Sequence, residues 1–247
     1  MENCLVTTLR QVADNDNLPI LDSIVINVVK TEEERLPEQK YLEFRLVENT
    51  SVTFTVLDGS NKISTSESGM ENNPKKSITV TNPSNVFKVY FVNDNYKVKV
   101  SSKNNLRVFR NYIGISATKR TYIEPIYNGM SGLYNLTTFM NSSSSLPFNI
   151  EILKDATSLV TFMSPNSPNC YGDIASLGDC ILLETLRLTG TSCSGNVEEL
   201  AQKQVDNGRT SGTLQISAAN SNIKYNGSSI ANYIITITFN ESGYVIS

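Results

Sequence analysis

The chain has 247 residues, with 21 Lys plus Arg against 24 Asp plus Glu and a formal net charge of −3. That length suits one or two domains, and that balance argues against a strongly basic nucleic-acid binder. Histidine and tryptophan are absent, which excludes Ser-His-Asp and Cys-His catalysis, HExxH zinc sites and histidine pH switches. Asn, Ser and Thr number 28, 29 and 22. So many short polar side chains favour turns and exposed strands over long helices, and point to a β-rich interaction protein rather than an enzyme.

The opening Met1-Glu2-Asn3-Cys4-Leu5-Val6-Thr7-Thr8-Leu9-Arg10 has no basic start followed by an apolar run. It does not read as a secretory signal, and no stretch approaches 18 apolar residues. The expectation is a chain made and kept in a cytoplasm, unless it leaves by cell lysis, with no segment that spans a membrane. Cys4, Cys170, Cys180 and Cys193 form no CxxC pair, so neither a zinc site nor a disulfide framework is expected.

From residue 24 to about 110 the pattern is short strands. Leu42, Phe44 and Leu46 share one face while Glu43 and Arg45 take the other, and Val52, Phe54 and Val56 alternate with Thr53 and Thr55. That is the period of a half-buried strand. Further strands are expected at 24–29, 77–81, 86–92, 96–100 and 106–110. Asp58-Gly59-Ser60-Asn61, Asn72-Asn73-Pro74 and Asn93-Asp94-Asn95 serve as turns between them. Seven such strands predict an antiparallel sandwich or small barrel.

The second half repeats. Asn149-Ile150-Glu151-Ile152-Leu153, Asp173-Ile174-Ala175-Ser176-Leu177 and Asn196-Val197-Glu198-Glu199-Leu200 lie 24 and 23 residues apart. A second series, starting at Leu136, Leu159 and Leu183, is spaced by 23 and 24. Two series in step with one period carry the leucine-rich-repeat signature. Each repeat is expected to supply a strand near Phe139, Phe162 or Leu186, then a turn, then a helical segment capped by the Asx side chain. Asn196 and Glu199 form a capping-box pattern, and Asn207-Gly208 supplies a stop. Cys170 and Cys193 hold equivalent positions and should stack as small buried residues in adjacent rungs. The end reads as a strand at 213–217, a turn region at 220–227 and a terminal strand at 234–239, which together cap the solenoid. Ser142-Ser143-Ser144-Ser145 reads as a surface loop, and the linker between halves falls near 111–127. The fold class is therefore mainly β with short helices. An anchor segment occupies 1–22, a sandwich or barrel 23–112, and a leucine-rich-repeat domain with a C-terminal β cap 113–247.

The segments Cys170-Tyr171-Gly172-Asp173-Ile174-Ala175-Ser176-Leu177 and Thr191-Ser192-Cys193-Ser194-Gly195-Asn196-Val197 resemble the repeats of short leucine-rich virion proteins of Bacteroidetes (crAss-like) phages. Gly208-Arg209-Thr210-Ser211-Gly212-Thr213-Leu214 and the closing Ile237-Thr238-Phe239-Asn240-Glu241-Ser242-Gly243-Tyr244 are similar to the end of those proteins. Asn3-Cys4-Leu5-Val6-Thr7-Thr8-Leu9 and Asn15-Asp16-Asn17-Leu18-Pro19-Ile20 are similar to their leader. The resemblance covers the first 20 and the last 100 or so residues. It implies a head fibre or capsid-decoration protein located in the virion. The major capsid protein or other virion proteins would be its partners, and a host surface protein or glycan its target.

Leu5, Val6, Leu9 and Val12 are the candidates for the capsid anchor, unless Cys4–Leu9 is simply the first strand. Tyr122, Tyr127, Tyr134 and Tyr171 are the candidates for surface contact, with cap or core roles equally open. Glu32-Glu33-Glu34 reads as a solvated loop. The basic stretch of Lys97, Lys99, Lys103, Arg107 and Arg110, continued by Lys119 and Arg120, reads as an exposed strand face more readily than as a nucleic-acid site. No catalytic, cofactor or metal residue is assigned. A homo-oligomer, dimer or trimer, is expected from exposed sheet edges and solenoid ends. The alternative is a host-encoded leucine-rich-repeat adhesion module that binds protein or carbohydrate.

Overall fold

The alternating segments of the first half that lie among the described residues form strands. The computed structural model describes residues 22–31, 40–57, 61–67, 73–83, 85–91, 96–112, 123–219, 222–230, 233–238 and 245–246. The chain is mainly β with few short helices. The expected strands are β1 (Ser23–Thr31), β2 (Tyr41–Leu46), β3 (Ser51–Val56), β5 (Ser77–Thr81), β6 (Phe87–Phe91), β7 (Tyr96–Ser101) and β8 (Leu106–Tyr112). Two more, β4 (Ile63–Thr65) and β9 (Ile123–Asn128), are too short or too irregular to stand out as patterns. The antiparallel order β5-β3-β7-β1-β9 forms one sheet, so 123–128 hydrogen-bonds to the first strand of the first half. Strands β4, β6, β2 and β8 begin a second sheet. The two face each other across aromatic rings, with Phe44 of one 5.0 Å from Phe54 of the other.

The second sheet does not stop at β8. It continues in parallel through β10 (Thr138–Ser142), β12 (Thr161–Met163), β14 (Thr185–Arg187), β16 (Gly212–Ser217) and β18 (Tyr233–Thr238), and β19 (Val245–Ile246) closes it antiparallel. The sheet therefore spans ten strands. The third sheet is parallel: β11 (Phe148–Asn149), β13 (Cys170–Asp173), β15 (Ser192–Asn196) and β17 (Asn222–Lys224). β17 lies inside the segment expected to be a turn, because its Ile223 supplies the buried residue facing Gly195 in the next coil. Between the parallel sheets lie 3-10 turns at Ile150–Leu153 and Ile174–Asp179 and the helix α1 (Val197–Asp206).

The Asx caps fall where the repeat predicts. Asn149 accepts from Glu151 N at 3.0 Å, Asp173 from Ala175 N at 2.8 Å, and Asn196 from Glu199 N at 3.1 Å. The cap reaches one amide further in α1, as a wider α turn requires. The glycine before the second and third caps has a separate cause. Gly172 and Gly195 hold φ of +119° and +123°. A Cβ on Gly172 would lie 2.6 Å from Asn149 Oδ1, and one on Gly195 would overlap Asp173 Oδ1. Each glycine makes room for the cap of the coil before it. Phe148 stands at this position in the first coil, which has no earlier cap beneath it.

Two buried polar clusters join the parts. Asn141, facing Asn111 across β8 and β10, accepts from Asn111 Nδ2 and Tyr127 Oη, each at 3.2 Å. Its carbonyl accepts from Ser164 and Ser167 hydroxyls at 2.9 Å. Ser142 and Ser144 are buried beside it, which corrects the surface-loop reading of the serine run: Ser144 N donates to Ser167 Oγ at 3.1 Å. Lys103, 1% exposed, donates to the carbonyls of Gly129 and Ser131 at 2.9 and 2.7 Å. Burial pulls its pKa below the lysine range, opposed by Asp22 and Asp155.

Gly195→Ala is expected to cost about 2–4 kcal/mol, from an unfavourable φ plus the clash with Asp173. Urea unfolding measures it, and a cost under about 0.5 kcal/mol would remove the spacing role. Lys103→Met is expected to cost about 2–4 kcal/mol, because two carbonyls lose their donor inside the protein.

Candidate functional site

The ten-stranded sheet buries one face and turns the other outward. Residues on either side of each buried Phe139, Phe162 and Leu186 point out, and strand register sets them in rows. One row runs Lys88, Glu43, Arg110, Met140, Met163, Arg187 and Ser217. The parallel row runs Arg45, Val108, Thr138, Thr161, Thr185, Gln215 and Thr236. Except for buried Val108, these side chains are half-buried or exposed. Arg110 Nη1 stands 3.9 Å from Glu43 Oε2, and Lys88 Nζ lies 4.1 Å above the Tyr41 ring. The face is thus charged at the antiparallel end and carries Thr and Met side chains across the coils. Ile234, on the last parallel strand, is 64% exposed.

A second feature lies where each coil turns up into this sheet. An open groove of about 580 Å³ is lined by Tyr134, Lys154, Asp155, Thr157, Asp179, Ile181, Leu182 and Asn207. Tyr134, Thr157 and Ile181 are repeat equivalents, each two positions before the buried Leu136, Leu159 and Leu183. Asp155 and Asp179 are equivalent as well. Asn207 Nδ2 donates to Asp179 Oδ1 at 2.7 Å, fixing that carboxylate. Gly178 lets α1 approach: a Cβ there would lie 2.8 Å from Lys203 Cβ. Tyr134 and Leu182 are 43% and 52% exposed. A ring face, an aliphatic patch and two carboxylates form a surface that can stack and accept hydrogen bonds.

The tyrosine candidates separate. Tyr134 lines the groove, and Tyr171 is exposed on β13, away from its lining. Tyr127 is not a surface residue. Its ring packs on Phe109, Phe139 and Phe148 at 5.1–6.1 Å, because β9 turns it inward against the ten-stranded sheet. Burial pushes its phenol pKa upward. Tyr122 and the anchor candidates Leu5, Val6, Leu9 and Val12 lie outside the described residues, as do Glu32-Glu33-Glu34, Lys119 and Arg120. The basic stretch does not share a face: Lys97 and Lys99 are exposed on β7, Lys103 is buried, and Arg110 belongs to the other sheet. The outward Thr and Met rows were not singled out from sequence. The signal for them is the pair of residues flanking each buried strand centre.

Among the described residues no three His, Cys, Asp or Glu side chains group as metal ligands, and no described helix is long and apolar enough to cross a membrane. No family model, no curated protein and no solved structure matches the chain. Tyr134→Ala is expected to leave stability within about 0.5 kcal/mol, as for other exposed positions. Tyr127→Phe is expected to cost about 1–2 kcal/mol, since it removes one of the two donors to Asn141 Oδ1. Thermal unfolding of the two variants separates groove from core.

Proposed function

We propose that the chain is a non-enzymatic virion structural protein of a Bacteroidetes phage, a head fibre or capsid decoration. On this reading it is an N-terminal sandwich followed by a short leucine-rich-repeat solenoid with a β cap. Residues 1–22 hold the capsid and the repeat module is displayed. One observation carries the proposal: the residues that bear the resemblance are those that join coil to coil. Gly172-Asp173-Ile174 and Gly195-Asn196-Val197 supply the cap, the buried residue and the clearance for the preceding cap. The resemblance is thus carried by a working joint rather than by scattered composition. The outward rows of the ten-stranded sheet offer the display surface, and the structural base beneath them is one continuous sheet.

The partners on this reading are further copies of the chain, as a dimer or trimer, the major capsid protein or other virion proteins, and a host surface protein or glycan. The groove beside Tyr134 favours a second reading, a host-encoded adhesion module that binds protein or carbohydrate without a particle.

Quantitative peptide mass spectrometry of purified particles, scaled to the major capsid protein, distinguishes the two. The virion reading expects a fixed copy ratio, and absence from particles would sink it. A chain beginning at Asp22 should lose attachment to particles.

A further inference from the structure

We propose that Asn226 is a self-modifying site: it cyclises onto Gly227, opens to aspartate and isoaspartate, and so loosens the turn after β17 from α1. The chain has three Asn-Gly pairs, at Asn128, Asn207 and Asn226. Glycine leaves its own amide unshielded by a side chain and its backbone free to turn, which suits that amide to reach the preceding asparagine Cγ. Reaching it requires rotation about the asparagine Cα–C bond. Local structure therefore decides which pair reacts.

Two of the pairs are held. Asn128 ends β9 opposite Val25 of β1, and Lys103 Nζ donates to the Gly129 carbonyl at 2.9 Å. Asn207 Nδ2 donates to Asp179 Oδ1 at 2.7 Å, and Gly208 N donates to the Val205 carbonyl at 3.0 Å. The third pair is open. Asn226 and Gly227 are exposed and lie beyond the end of β17. Among the described residues nothing accepts from Gly227 N or bonds to the Asn226 side chain. Asn226 N donates to Glu198 Oε1 at 2.6 Å, but that tie lies on the other side of the bond that must turn. Ser228 N, beyond Gly227, reaches the same oxygen only at 3.4 Å, longer than an ordinary hydrogen bond.

In the reaction Gly227 N gives up its proton and bonds to Asn226 Cγ. The Cγ–Nδ2 bond breaks, and ammonia leaves with that proton. Water then adds to either carbonyl of the succinimide ring. One opening leaves aspartate, and the other routes the main chain through Cβ as isoaspartate. No oxidant or reductant enters. Both products place a new carboxylate beside Glu198, whose Oε2 is buried without a partner among the described residues. Like charges at that range repel, which weakens the tie between the turn and α1. A virion does not renew its proteins, so the product accumulates there; that consequence rests on the proposed function, whereas the reaction does not.

The test is to hold the folded full-length chain at mildly alkaline pH, beside a sample unfolded in guanidinium chloride, and to map both with trypsin over time. Peptides 121–154, 204–209 and 225–247 carry the three pairs, and fragmentation locates each exchange of amide for carboxyl. In the folded chain Asn226 should convert on the order of tenfold or more faster than Asn128 and Asn207. In the unfolded chain the three should convert at similar rates. Asn226→Asp should lower Tm by on the order of 2–4 °C, while the equally exposed but uncharged Asn226→Gln leaves it in place. Conversion of Asn128 or Asn207 in the folded chain as fast as that of Asn226, or an Asn226 that reacts only when unfolded, overturns the site. Equal Tm for the Asp and Gln variants overturns the loosening.

Discussion

A single row of apolar residues runs in register through eight strands of the ten-stranded sheet. Phe87, Phe44, Phe109, Phe139, Phe162, Leu186, Ile216 and Ile237 are successive partners from β6 to β18. Phe44, Phe109, Phe139 and Phe162 follow one another at 4.8, 5.5 and 5.9 Å between centroids. Because strand side chains alternate with period two, one residue of slippage in a strand would turn its member of the row to the outer face. The row therefore fixes the register of antiparallel and parallel strands alike. It also accounts for phenylalanine in the first two coils, where the third has Leu186. Those coils pack next to the aromatic core of the first half, with Tyr127 and Phe148 closing over Phe139. Leucine returns at residue 186, where the neighbouring rings end.

Changing from antiparallel to parallel pairing in one sheet leaves polar groups at the seam. Asn111 and Asn141 face each other there, and Tyr127 brings a hydroxyl from the opposite sheet to the same oxygen. A buried amide is costly alone, and satisfied it favours one arrangement. The far end of the parallel strands uses a charged group for the same purpose. Arg209 is 7% exposed and donates to the carbonyls of Leu183, Ser211 and Thr213, while Gly212 leaves space for its guanidinium. The two polar clusters bracket the coils, and between them the packing is repetitive.

Local periodicity made most of this legible. The alternation of Leu42, Phe44 and Leu46, the paired repeat series, the Asx caps and the stacking of Cys170 on Cys193 all follow from spacing alone. What did not follow depends on contacts far apart in the chain. The pairing of β9 with β1 spans about a hundred residues, and nothing local marks Ile123–Asn128 as its partner. The burial of Ser142 and Ser144 depends on hydroxyls and carbonyls one coil later, so a run of serines reads as solvent-exposed when met by itself. Tyr127 misleads for the same reason. Its amphipathic side chain suits a binding face, and its phenol finds an internal partner only because β9 crosses the seam.

The candidate site was less legible than the fold because it lies between repeats rather than within one. Tyr134 stands out as a contact candidate by itself, but Thr157 and Ile181 do not, and only stacking aligns the three along one groove. The same holds for the Thr and Met rows, whose members are 23 or 24 residues apart in sequence and adjacent across the sheet. The positions that stack the coils are constrained: a glycine under a cap, a buried residue after it, a leucine every turn. The outward positions beside them carry no such constraint. A scaffold of this kind can change its displayed chemistry one coil at a time while the Phe row and the glycine–Asx seam stay fixed, so its outer face, rather than its core, is where substitutions are tolerated.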